Sequence, residues 1–186
     1  MDQNAFGIFR GAFTTTLTAD GVSFVNAAHV LIGGGTESNL VTGALSQATL
    51  NDAIVRLAQQ KDQSSVVLGN QPAILLVPTP LFKKALEITE SALISGSANN
   101  DLNVYRSAFG ITVWTNPYMD AVNGGSDTAW FLLSRNHCIT RYIRQGIQTA
   151  LRDWSISNNR TYLYQCNFRE EVAVIDYVGA VGSTGV

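Results

Sequence analysis

The sequence predicts an α+β fold in which strands buried on both faces meet amphipathic helices, and three stretches carry that prediction. Residues 73–77, AILLV, form an unbroken apolar run between Pro72 and Pro78, the length and punctuation of a strand covered on both sides. A helix follows at once. Thr79 is placed to cap it, Pro80 sits where a missing N–H costs nothing, and Leu81, Ala85, Ile88 and Ala92 share one face before Gly96. Residues 46–63 repeat apolar side chains at three and four through Leu50, Ala53, Ile54, Leu57 and Ala58. Ser46 or Thr49 starts this second helix, with Asp52 placed to complete a capping box from Thr49. Residues 161–178, TYLYQCNFREEVAVIDYV, alternate as one long strand or hairpin with Arg169, Glu170 and Glu171 at its bend or edge.

Composition narrows the class. With 186 residues, 46% of them apolar and 14% charged, the chain has enough material for a sizeable core, in one large domain or two small ones. A net charge of −2 gives no bulk attraction to nucleic acid or to a membrane surface, and no apolar run approaches the roughly 18 residues of a membrane span. The first residues, MDQNAFGIFRG, put Asp2 where a signal peptide carries positive charge and lack a long apolar centre, so no export is read. Cys138 and Cys166 lie far apart without C-x-x-C spacing, which points to free thiols in a reducing compartment and to neither a zinc site nor a disulfide framework.

The remaining stretches fill in the order. Residues 12–30 alternate loosely around Asp20 and Gly21, predicting strand, turn and returning strand. Gly33, Gly34 and Gly35 open a flexible patch that lacks the following GK[ST] of a phosphate-binding loop. Asn51, Asp52, Arg56, Gln59 and Gln60 form the outer face of the helix at 46–63, a solvated or subunit-facing surface, and residues 64–70 make a connector that marks a first domain boundary. Strands are predicted in LNVYRS (102–107) and FGITVWTNP (109–117), then at 128–133 and 138–143. Arg135, Arg141, Arg144 and Arg152 stand in a stretch without acids, read as a solvated strand edge with intersubunit ion pairs in preference to an anion-binding patch. The long strand at 161–178 is expected to leave the central sheet and pair with the hairpin at 17–27, and Leu76 and Leu86 are expected in the core.

No catalytic grouping emerges, so no catalytic, cofactor-binding or metal-ligating residue is assigned. His29 and His137 are isolated, and a hydrolase built on Cys138 with His137 is disfavoured because neighbours on a strand point to opposite faces. Glu170 and Glu171 are separated in the same way.

Five segments in order carry a resemblance. TADGVSFVNAAHV (18–30), GALSQATLNDAIVRLAQQKD (43–62), PAILLVPTPLFKKALEI (72–88), a strand pair around Asn103–Val113 and Trp130–Leu133, and RTYLYQCNFREEVAVIDYVGAV (160–181) resemble the major capsid proteins of tailed bacteriophages. The resemblance is to Mu-like major head subunits and to the coat halves of prohead protease–capsid fusions, which share the HK-ninety-seven fold. It implies a peripheral domain (1–63 and 161–186, with a spine helix at about 46–63 and long antiparallel strands) and an axial domain (71–160, a mixed sheet flanked by helices). It also implies a non-enzymatic, cofactor-free subunit of a phage or prophage icosahedral head, self-associating in pentamers and hexamers around double-stranded DNA. Scaffold, prohead protease and portal are the implied partners, with no membrane involved; the implied location is the virion, assembled in the host cytoplasm. An encapsulin-like compartment shell is the alternative within the fold, and a Ser/Cys hydrolase the alternative outside it. Relatives carry an arm and an extended loop before the spine helix, and 45 residues precede Ser46 here. The expectation is therefore a C-terminal portion of a coat protein, monomeric or weakly associating by itself.

Overall fold

The computed structural model describes residues 2–93, 102–156 and 159–186. At its centre is a five-stranded mixed sheet of β3 (Leu40–Val41), β9 (Ala180–Ser183), β6 (Trp130–Ser134), β4 (Pro72–Val77) and β5 (Thr112–Thr115), in that spatial order. β4 runs parallel to β5 and antiparallel to β6, β6 is antiparallel to β9, and β9 is parallel to β3. Helices cover both faces, which is why AILLV needs no polar alternation. Leu75, Val77, Trp130, Leu132 and Val181 face α2 (Gln47–Gln59) and α3 (Phe82–Glu90), through Leu50, Leu57, Ala85 and Ile88. Leu76, Phe131, Leu133 and Ala180 face the opposite way, toward Ile8 and Phe9 of α1 (Asp2–Arg10) and toward Phe24 and Val25.

The helices keep their predicted places and change their ends. Ser46 caps α2 reciprocally with Thr49, so the partner is the hydroxyl of Thr49 and not Asp52. The helix stops at Gln59 and not near 63, because Gln60 turns to an extended backbone (φ −53°, ψ 138°) and buries its amide. That amide donates to Ala180 O at 2.9 Å and accepts from Gly179 N at 2.9 Å, pinning the start of β9. Gln60 was expected on the outer face; it is instead a polar clamp inside. Before α3 a 3-10 turn spans Thr79–Leu81, and no side chain caps it from Thr79. The Thr79 N–H is instead satisfied by Asp120 Oδ1 at 2.8 Å, across the fold. α3 ends at Glu90, and Gly96 lies outside the described residues.

Three expectations are corrected. The first is LNVYRS, which is not a strand: Val104–Ala108 form helix α4, capped by Asn103 Oδ1 on Tyr105 N at 3.1 Å. Residues 17–27 make a single bridge, Leu17 to Ser23, while the hairpin lies later, between β1 (His29–Val30) and β2 (Thr36–Glu37). The Gly33–Gly35 patch is its turn, with Gly34 and Gly35 both at φ +90°. The long C-terminal strand β8 (Asn159–Val174) pairs with β7 (Ile139–Ile156) and not with residues 17–27. On either side of the connector at 64–70, α2 and β9 share one apolar cluster with β4 and β6.

Burial ranks the core. Leu76 is 1% exposed, whereas Leu86 is half-buried. Truncating Leu76 to Ala is expected to cost about 2–5 kcal/mol of unfolding free energy in urea titrations, and truncating Leu86 clearly less. Equal losses at the two positions would contradict this packing.

Candidate assembly interface

The largest feature outside the core is a two-stranded antiparallel ribbon formed by β7 and β8, which bond to no other strand. At its root Ile139, Val172 and Val174 pack onto the core cluster around Phe131 and Leu133. Arg141 forms an ion pair with Glu170 there, so this arginine is engaged within its own subunit. The register shifts between Ile143 and Gln145 and again before Gln148, with Gly146 inside the irregularity. Beyond it the pairing is regular, and Gln148 to Ile156 span about 30 Å at strand rise.

Opposed residues in an antiparallel pair share a face, so the register sorts the side chains. Thr149 lies opposite Cys166 and Leu151 opposite Tyr164, and the alternation adds Ile147 and Phe168 to that face. Gln148 lies opposite Asn167 and Ala150 opposite Gln165 on the reverse. Over residues 147–151 and 164–168 one face is thus apolar and the other rich in amides. The apolar face is open: Ile147 is 63% exposed, Leu151 65%, Tyr164 68% and Phe168 47%. A two-stranded ribbon standing alone is marginal in water, and its two outer edges leave backbone donors and acceptors unpaired. Both properties call for a covering surface.

A second feature lies along the body. An open groove of about 680 Å³ runs beside β3, lined by Glu37, Leu40, Asp52, Val55, Arg56 and Gln59. It contains the α2 face that the sequence marks as solvated or subunit-facing. Arg56 is tied down by donating to Ser38 O at 3.3 Å.

The residues weighed for hydrolysis do not converge on a site. His29 is buried under Tyr177. His137 accepts a hydrogen bond from Ile139 N at 3.4 Å through Nδ1. Burial pushes the Cys138 thiol up, with the charge of Asp176 adding to it, which favours the protonated, less nucleophilic form. Among the described residues no group of His, Cys, Asp or Glu is arranged to hold a metal ion, and no helix is long and apolar enough to cross a membrane. The ribbon itself escaped the sequence reading. Part of its signal was present in the alternation of residues 161–178, but residues 156–160 carry no Gly, Pro or Asp-Gly punctuation in the sequence.

The described residues thus form a mixed sheet with helices on both faces and an open, partly apolar ribbon. The chain belongs to a phage capsid protein family, whose model matches residues 1–182. Among solved structures it is similar to a virus-like particle from Pyrococcus furiosus, at 12% identity and a TM-score of 0.41, over 78% of this chain and 54% of that one. The chain spans about half the length of that protein. No curated protein matches it.

The two free thiols separate the ribbon face from the body. Cys166 is exposed on the apolar face and Cys138 is half-buried. In the unassembled subunit a maleimide should label Cys166 first by mass spectrometry, and Cys166 should become protected on self-association. Equal labelling of both, or no protection, would contradict the assignment of this face.

Proposed function

We propose that this chain builds an icosahedral phage or prophage head and that the apolar face of its β7–β8 ribbon is covered by a neighbouring copy. The open ribbon face carries the reading. Ile147, Leu151, Tyr164 and Phe168 expose a contiguous apolar strip that a free subunit cannot bury, and a shell supplies identical surfaces around every subunit. From the sequence, the segment from 139 to 174 holds Arg141, Arg144, Arg152, Arg160 and Arg169 against Asp153, Glu170 and Glu171 in a chain of net charge −2. A basic ribbon on an acidic body favours contact between copies.

In this reading pentamers and hexamers close around double-stranded DNA without reading its sequence. Scaffold, prohead protease and portal act on the same shell, which assembles in the host cytoplasm and ends in the virion. Residues 1–63 and 161–186 sit toward the capsomer periphery and 71–160 toward its axis, with the ribbon spanning the two and the shared core joining them. The expectation of a weakly associating chain rests on the arm and extended loop that relatives carry before the spine helix; the ribbon lies after that helix and is a different extended element. An encapsulin-like compartment remains the alternative, and the contents of purified particles, DNA or a protein cargo, distinguish the two.

Replacing Leu151 and Tyr164 with Asp should abolish closed particles, read by light scattering and electron microscopy, while the melting temperature stays within about 2 °C of the parent, as for exposed substitutions. Gln165→Glu, on the amide face, should leave particles intact. Particles at parental yield from the double variant would overturn the proposal.

A further inference from the structure

Of Arg135, Arg141, Arg144 and Arg152, Arg135 is the one that lies between strands, after β6 ends at Ser134 and before β7 begins at Ile139. It is exposed, and among the described residues it has no ion pair or hydrogen bond. Together with the residues that lead into β4 it lines an open cleft of about 430 Å³. Among the described residues of that lining Arg135 carries the single charge, so no carboxylate there offsets it. Leu68 and Phe109 supply apolar wall, which leaves less water to screen the guanidinium.

Donors gather in the same lining. Ser134 is 1% exposed, and its Oγ accepts from Asn136 N at 2.9 Å. The hydroxyl proton must then go elsewhere, and no described residue accepts it. Leu68 N donates to Gln60 O at 2.9 Å, but the backbone N–H groups of the next three residues, Gly69, Asn70 and Gln71, have no acceptor among the described residues. Gly69 takes the left-handed conformation, φ +63°, in which the chain turns here. Asn70 is 6% exposed, and its amide has a fixed orientation: Gln60 Oε1 already accepts from Gly179 N, so the Asn70 atom that meets it at 3.4 Å is Nδ2. Donors left without acceptors beside an uncompensated cation describe a place made for an anion.

We propose that this cleft binds a terminal phosphate group, with Arg135 as its anchor. The lining holds three free backbone N–H groups, the Ser134 hydroxyl and the two parallel N–H groups of a guanidinium edge, six donors in all. A carboxylate has two oxygens and about four lone-pair sites, and a phosphate within a nucleic-acid backbone has two unesterified oxygens as well. A terminal phosphate has three strong acceptor oxygens and more negative charge, and so matches the donor set where the others leave part of it unused. Successive backbone N–H groups serve one anion in phosphate cradles, and the guanidinium fork adds charge-assisted bonds to it. Binding would tie the segment before β4 to the residue from which the ribbon leaves the sheet. The site stands independently of the head-building reading, and a mononucleotide or the 5′-phosphate end of a DNA strand both carry the group it fits.

Equilibrium dialysis of the whole chain against radiolabelled inorganic phosphate at low ionic strength should show saturable binding. Hydrogen–deuterium exchange in the peptide spanning residues 68–72 should slow as the site fills. Arg135→Gln should weaken binding about tenfold or more, as for loss of a hydrogen bond to a charged group, while Arg10→Gln, on α1, should bind like the parent. Competition by deoxyadenosine monophosphate alone assigns the group to a small phosphate ester; competition by a 5′-phosphorylated DNA duplex as well, and not by the same duplex without its 5′-phosphates, assigns it to a DNA end. Either result supports the proposal. Absence of saturable phosphate binding, an unchanged affinity in Arg135→Gln, or equal competition by acetate or by the unphosphorylated duplex would overturn it.

Discussion

Ser134 N donates to Gly179 O at 2.8 Å, joining the end of β6 to the start of β9, two antiparallel neighbours that a tight turn could have connected. The chain instead places residues 135–178 between them. Both faces of the central sheet are already covered, by α2 and α3 on one side and by α1 with residues 24–25 on the other. The inserted residues have no share of the core beyond their root, so they leave it as a ribbon. Such an insertion adds little closure entropy, because its ends are held adjacent by the sheet and loop cost grows only slowly with length. The apolar side it carries outward is the surface proposed to meet another copy.

The same constraint makes β9 the strand on which the sheet closes. It lies between β6 and the edge strand β3, and its four residues are buried. Gly182 approaches Phe131 and Val25 so closely that an added Cβ would stand 2.8 Å from Val25 Cγ2 and 2.9 Å from Phe131 Cδ1. Gln60, at the end of α2, holds the backbone on either side of the entry to this strand. The end of α2 and the start of β9 are thereby joined beside the root of the ribbon.

Much of this was legible in the residues. AILLV between prolines, the helical spacing of Leu50 to Leu57 and the apolar run at Trp130 were read from pattern alone, because each is decided by burial on the element's own face. α4 was misread since Val104 and Tyr105 favour strands, while a tertiary contact decides otherwise: Asn103 Nδ2 donates to Ile88 O at 2.7 Å and fixes the turn that starts the helix. α1 was missed because only a few of its side chains are apolar and Gly7 interrupts them. Pairing of the last strand was misplaced for a different reason. Alternation shows that a strand exists and which residues share a face, but it does not say which partner it takes. The amphipathic character of the ribbon became readable only once the register set Leu151 against Tyr164 and Gln165 against Ala150.

The direct test is a side-chain-resolution electron-microscopy map of assembled particles. The account predicts that Ile147, Leu151, Tyr164 and Phe168 lie against the body of a neighbouring subunit, with the amide face of the ribbon toward solvent. A closed particle in which those four side chains remain in solvent would contradict it.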